Sequence, residues 1–177
     1  MRLFIAINFK KGVKCKIQEI IRDIKCSSIE GKFVRNEHLH LTLEFFGNIS
    51  EDRISDIINV MRKVSTRGFL LKPNKLSCFS KNSGDIYYIG FKESSRLLNI
   101  QDNIHIMLLE KEFELENRAY TPHITIGRKV VLNENADIDK YIKPLGKIRI
   151  KVDSIELMKS EHIEGKLIYT VIYSKKL

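Results

Sequence analysis

Two tetrapeptides share one pattern, His40-Leu41-Thr42-Leu43 and His123-Ile124-Thr125-Ile126. The chain holds only five His and five Thr, so a single chance match has an expectation of about 0.04, and a pair is rarer still. In an extended strand, residues i and i+2 point the same way, about 6.5–7 Å apart. His40 with Thr42, and His123 with Thr125, would each share one face. Leu41, Leu43, Ile124 and Ile126 would anchor the opposite face in a core. Each strand then presents one imidazole and one hydroxyl on a rigid support.

Two imidazoles suit the cleavage of a phosphodiester near neutral pH. One takes a proton from the nucleophile and the other gives one to the leaving oxygen, and histidine populates both states around pH 6–7. Threonine hydroxyls can donate to the non-bridging oxygens as negative charge builds up. Two other readings use the same residues. Strand histidines are often surface or satisfied groups, and threonine suits strands by its β-branched shape. A metal site could draw on His38, His40 and His123, although that leaves the second threonine without a role.

The elements that must position these groups follow from periodicity. Residues 2–9 read as a buried strand and 11–25 as a helix with Val13, Ile17, Ile20, Ile21 and Ile24 on one face. A short strand is predicted at 32–35. Over 38–46, Leu39, Leu41, Leu43 and Phe45 alternate with His38, His40, Thr42 and Glu44. Ser50 is the predicted start of a helix over 51–66, with a stripe of Ile54, Ile57, Ile58 and Met61. Strands are predicted at 68–79 and 85–92, separated by the turn-rich Lys81–Asp85, then the longest helix at 94–114. Pro122 sets the entry to a strand at 123–127. Strands at 146–159 and 166–175 close the chain through a hairpin at Glu164-Gly165. Helices interspersed with hairpins predict an α+β fold with largely antiparallel sheets.

The bulk properties are ordinary for a soluble globular protein. The 177 residues suit one domain, with 43% hydrophobic and 30% charged residues. No apolar run approaches the roughly 18 residues that cross a membrane, and the N-terminus lacks a signal-peptide layout. A cytoplasmic monomer with no membrane association is expected. The odd set of Cys15, Cys26 and Cys78 argues against a disulfide framework. The net charge of +9 favours polyanions without saying which.

The longer segments around the tetrapeptides narrow the choice. Gly31–Gly47, containing Phe33-Val34-Arg35-Asn36-Glu37-His38-Leu39-His40-Leu41-Thr42-Leu43, resembles the first signature of the 2H phosphoesterases. Arg118-Ala119-Tyr120-Thr121-Pro122-His123-Ile124-Thr125-Ile126-Gly127-Arg128 resembles the second, and Arg2-Leu3-Phe4-Ile5-Ala6-Ile7 fits the same branch, the RNA 2′,3′-cyclic phosphodiesterases or 2′-5′ RNA ligase-like proteins. The likeness spans essentially the whole chain. It departs at Phe33, where Trp is frequent, at Asn36, where Pro is frequent, and at His38, where Asn is common.

The resemblance implies a single bilobal α+β domain over 1–177, with two largely antiparallel sheets flanking a cleft and helices outside. It implies His40 as general acid and His123 as general base, with Thr42 and Thr125 holding the phosphate. The implied reaction opens a 2′,3′-cyclic phosphate at an RNA 3′ end, tRNA fragments included, to leave a 2′-phosphate without metal or other cofactor. Some relatives also join RNA through 2′-5′ bonds. Arg128 is a candidate phosphate ligand, with Arg118 and Arg35 behind it, while Tyr120 and Phe45 are candidates for base stacking or for core packing. Alternatives are a non-catalytic RNA-end-binding module, or hydrolysis of ADP-ribose 1″,2″-cyclic phosphate or of 2′-5′ linkages.

Overall fold

In the computed structural model, which describes residues 1–82, 84–91 and 94–177, the N-terminal apolar run forms β1 (Arg2–Asn8). Leu3, Ile5 and Ile7 enter the main core, while Phe4 and Ala6 join a smaller apolar cluster with Met158, against which Tyr169 packs. Burial on both faces explains why this strand reads as a continuous apolar run rather than an alternation. Helix α1 (Lys11–Cys26) follows as predicted, with Ile17, Ile20, Ile21 and Ile24 as its buried stripe.

The chain continues through β2 (Ser28–Phe33), β3 (His40–Asn48), α2 (Ile54–Lys63), β4 (Phe69–Leu71), β5 (Pro73–Phe79) and β6 (Asp85–Phe91). Then come α3 (Ser95–Leu109), β7 (His123–Leu132), α4 (Ile142–Leu145), β8 (Ile150–Val152), β9 (Ser154–Ile163) and β10 (Lys166–Lys176). One four-stranded sheet has the order β10-β9-β1-β3 and the other β2-β7-β6-β5, with β4 and β8 as a separate pair. Every described pairing is antiparallel. This is the α+β class expected from the pattern. One apolar cluster runs from Ile5, Leu41 and Ile57 through Ile104 to Ile89, Ile124 and Ile126, so both sheets close over shared packing. No helix among the described residues is long and apolar enough to cross a membrane.

Several boundaries differ from the sequence reading. The alternation over 38–46 breaks in the middle. Ile5 pairs with Glu44 and Ala6 with Thr42, so one extra residue is inserted in β3. Past this bulge the faces exchange. Glu44 turns inward at 7% exposure and Phe45 outward at 36%. A bulge is set by the partner strand, which periodicity along one strand cannot show. The strand predicted at 32–35 begins at Ser28 and the one at 123–127 runs on to Leu132, because β2 and β7 lend each other a ladder. The predicted helix at 51–66 opens with a 3-10 turn (Glu51–Arg53), and the Ser50 side chain makes no capping bond. Ser94 does cap α3, its hydroxyl accepting from the Leu97 N–H at 3.4 Å. That helix stops at Leu109 rather than 114, and Glu112 adopts a left-handed φ of 58°. The long strands predicted at 68–79 and 146–159 are each two strands, and α4 was not foreseen. The predicted hairpin at Glu164-Gly165 is present, with φ of 50° and 76° as a tight two-residue turn requires. Residue 92 of the predicted strand and Ser83 of the turn-rich segment lie outside the described residues.

Candidate active site

The two tetrapeptides lie at the starts of β3 and β7. Their aliphatic positions are sealed in the core, with Leu41, Ile124 and Ile126 at 0% exposure and Leu43 at 2%. His40, Thr42, His123 and Thr125 are half-buried on the other face of their strands. The alternation therefore holds through both tetrapeptides, in β3 upstream of the bulge.

Both imidazoles are clasped in one way. His40 Nδ1 lies 2.7 Å from the His38 carbonyl oxygen, and His123 Nδ1 lies 2.7 Å from the Thr121 carbonyl oxygen. A carbonyl only accepts, so Nδ1 carries the proton in each ring and Nε2 is the exchangeable site. His40 Nε2 sits 3.1 Å from Thr42 Oγ1, which donates to it when the ring is neutral.

Each ring is also flanked by two aromatics from its own sheet. Phe4 and Tyr169 lie at centroid distances of 4.9 and 5.4 Å from His40. Phe79 and Tyr88 lie 5.4 and 5.5 Å from His123 and stack on each other at 4.3 Å. These four rings were not singled out in the sequence. Their positions depend on pairings between distant strands, and each is an ordinary strand residue in its own segment.

Burial depresses both histidines. His40 is pushed down to about 4, chiefly by desolvation, partly offset by its bond to His38 and deepened by the charges of Lys14, His38 and His123. His123 is lowered by burial, again offset by its clasp, with Arg118 and Arg128 adding to the depression. A charge on His123 is thus felt at His40, and Arg128 is felt at both His123 and Tyr169. β3 and β7, strands of opposite sheets, lie against each other. Lys14, half-buried and bonded to the Glu37 carbonyl oxygen at 3.2 Å, is a cation at the site that the sequence reading did not name.

The remaining candidates separate. Arg128 is exposed at the rim. The Arg118 guanidinium pairs with Glu116 at 2.5 Å on the surface. Arg35 lines a depression of about 330 Å³ with Arg22 and Lys25, bordered by neither catalytic candidate. Phe45 stands outside under the Arg2 guanidinium, 5.2 Å from its ring, rather than in the core. Tyr120 packs against the core and its hydroxyl donates to the Thr42 carbonyl oxygen at 2.9 Å. His38 Nε2 faces the Leu167 carbonyl oxygen at 3.0 Å, and among the described residues no three His, Cys, Asp or Glu side chains gather as a cation site would need.

The family model described as the 2′-5′ RNA ligase superfamily matches residues 13–164. A Thermotoga maritima protein named RNA 2′,3′-cyclic phosphodiesterase is 30% identical, the match covering 98% of this chain and 94% of that one. A protein of the same name from Methanothermobacter thermautotrophicus is 26% identical over 96% and 95%. Among solved structures, Escherichia coli LigT complexed with 3′-AMP superposes with a TM-score of 0.84 at 22% identity, covering 99% of this chain and 97% of that one. LigT without ligand gives 0.83 at 21% identity, covering 99% and 96%. The family match runs through both His-x-Thr strands and well over half of the chain, and the chain belongs to the 2′-5′ RNA ligase superfamily.

Proposed function

We propose that this protein is an RNA 2′,3′-cyclic phosphodiesterase that opens the cyclic phosphate at an RNA 3′ end to a 2′-phosphomonoester. The observation that carries the reading is the pair of identically clasped imidazoles. In each, Nδ1 is committed to a carbonyl and Nε2 is left for proton transfer. The relatives named for this activity and the charge of +9 support an RNA substrate.

In this scheme His123 Nε2 takes a proton from water as the water oxygen attacks phosphorus. The bond from phosphorus to O3′ breaks, and His40 Nε2 delivers a proton to O3′. Thr42 and Thr125 donate to the non-bridging oxygens, and Arg128 balances their charge. Both rings are lowered in the free protein, so His40 is largely neutral at pH 7. The acid role requires the bound phosphodiester, an anion set beside the ring, to raise its affinity for a proton.

That same depression favours a second reading, a protein that binds RNA ends and does not turn them over. Incubation with 2′,3′-cyclic mono- and oligonucleotides in EDTA separates the two. Turnover to 2′-phosphates, lost by roughly 10²–10⁴-fold in His40→Ala and in His123→Ala, is the expected result. Tight, salt-dependent binding without turnover would establish the binder instead. ADP-ribose 1″,2″-cyclic phosphate and 2′-5′-linked dinucleotides as further substrates test the neighbouring chemistries.

A further inference from the structure

The connection between α3 and β7 contains no helix or strand from Glu110 to Pro122, so ladder bonds do not fix its path. His123 is the first residue of β7, directly after this connection. Its ladder partner is Gly90 of β6, and the way the connection is pinned sets how the chain enters β7 beside β3. Phe113 pins one end, buried against Phe46 at a centroid distance of 5.6 Å. Tyr120 pins the other. It stands three residues before His123, and its hydroxyl donates to the backbone carbonyl of Thr42 at 2.9 Å. Since β3 is the edge strand of its sheet, that carbonyl takes its partner from outside the sheet.

The surroundings keep this bond in one arrangement. Burial, with the nearby Glu44 carboxylate, holds the Tyr120 hydroxyl protonated far above the usual phenol range. Glu44 would compete with Thr42 as acceptor, but its oxygens are already engaged. Oε2 accepts from His105 Nδ1 at 2.7 Å and from Gln101 Nε2 at 3.5 Å, and Oε1 accepts from the Phe45 N–H at 3.2 Å. The bulge of β3 is what turns Glu44 inward to meet α3. The bulge, the α3 polar pair and Tyr120 thus form one partly buried cluster behind the strand that carries His40.

We propose that Tyr120 is a positioning residue, a strut that joins one His-x-Thr strand to the approach of the other and so sets the spacing of the two imidazoles. It touches neither substrate nor the reacting atoms. Its hydroxyl holds Thr42, and through β3 His40, at a fixed place relative to His123. The inference rests on the two-histidine mechanism proposed above.

The test compares Tyr120→Phe with Tyr141→Phe, which removes a buried hydroxyl from the 3-10 turn at Asp139–Tyr141, outside the site. On a 2′,3′-cyclic nucleotide in EDTA, Tyr120→Phe should lower kcat roughly tenfold, with KM moving less than about threefold, because orientation rather than binding is lost. Tyr141→Phe should leave kcat unchanged. In a His40→Ala background, Tyr120→Phe should cost less than about twofold, since the group it steers is gone. A readout independent of turnover is the NMR titration of the His40 ring. Loosening β3 admits water, and the His40 pKa should climb from about 4 toward its ordinary 6.5 in Tyr120→Phe. An unchanged kcat, a loss matched by Tyr141→Phe, or an unmoved His40 titration would overturn the proposal. If wild type fails to turn over any cyclic phosphate, the mechanism falls, and the titration alone still decides whether Tyr120 holds His40 in place.

Discussion

The His40 and His123 ends of the site share a tetrapeptide and a clasp, but they differ in setting. His40 begins an edge strand and has one ladder neighbour, β1, whereas His123 begins an inner strand between β2 and β6. His40 lies beside Lys14 and another histidine, His38, and is pressed down to about 4. His123 feels the exposed Arg118 and Arg128 instead. The inner strand has a ladder on each side. The edge strand is held by the Tyr120 hydroxyl at Thr42, the Glu44 and His105 pair, and the His38 bond to β10. One sequence motif thus yields two chemically different histidines, because strand position and neighbouring charge are supplied by the rest of the fold.

The largest expected effects test whether the two ends still act as one unit. His40→Ala and His123→Ala should each cost roughly 10²–10⁴ in kcat, and the double variant should lose little more than the worse single one. Losses that multiply would mean two independent contributions. Single-turnover rates on a cyclic oligonucleotide give the answer.

Next in size is the effect of acid on stability. His40 binds its proton less readily folded than unfolded, so the unfolded chain takes up more protons between pH 6.5 and about 4. Folding stability should therefore fall as pH drops through that window, by up to about 3 kcal/mol from this group. Urea titrations at several pH values should show a flatter profile for His40→Gln, while His123→Gln changes the profile less.

A steric difference follows. A Cβ at Gly127 in the inner strand would meet Val130 Cγ2 at 2.7 Å and the Phe33 ring at 3.1 Å, whereas at Gly47, at the far end of β3, nothing lies within 4 Å and only its φ of 71° resists substitution. Gly127→Ala should destabilise by about 1–3 kcal/mol in urea unfolding, and Phe33→Leu should recover part of that. Equal cost with and without the Phe33 change would remove the Phe33 ring from the account and leave the Val130 contact alone.

The smallest effects concern the private charges of each ring. The kcat/KM profile should be a bell centred below neutrality, since both free-enzyme values are lowered. Lys14→Met should shift the His40 titration upward and leave His123 nearly still, and Arg128→Gln should do the converse. Both rings moving together in either variant would show that the charges are shared.

Much of this was legible in the chain. The strand at 2–9, the helix at 11–25 and the final hairpin followed from local periodicity and turn residues, because burial and backbone conformation there depend on near neighbours. The His-x-Thr faces also followed, since alternation fixes them wherever the strand is regular. Phe45 and Glu44 take the faces opposite to those that alternation predicts, because the bulge is set by the pairing with β1, a strand distant in the chain. Tyr120 was read as packing or a base platform because its acceptor is a backbone carbonyl, which leaves no trace in side-chain pattern.

What the sequence by itself determined is the reactive inventory. Two imidazoles, two hydroxyls and their aliphatic anchors are fixed by residue type and by the two-residue period of a strand. What only the tertiary structure decided is how unlike those imidazoles are. Their difference comes from desolvation and from charges on α1 and at the β7 rim, all of them products of long-range packing.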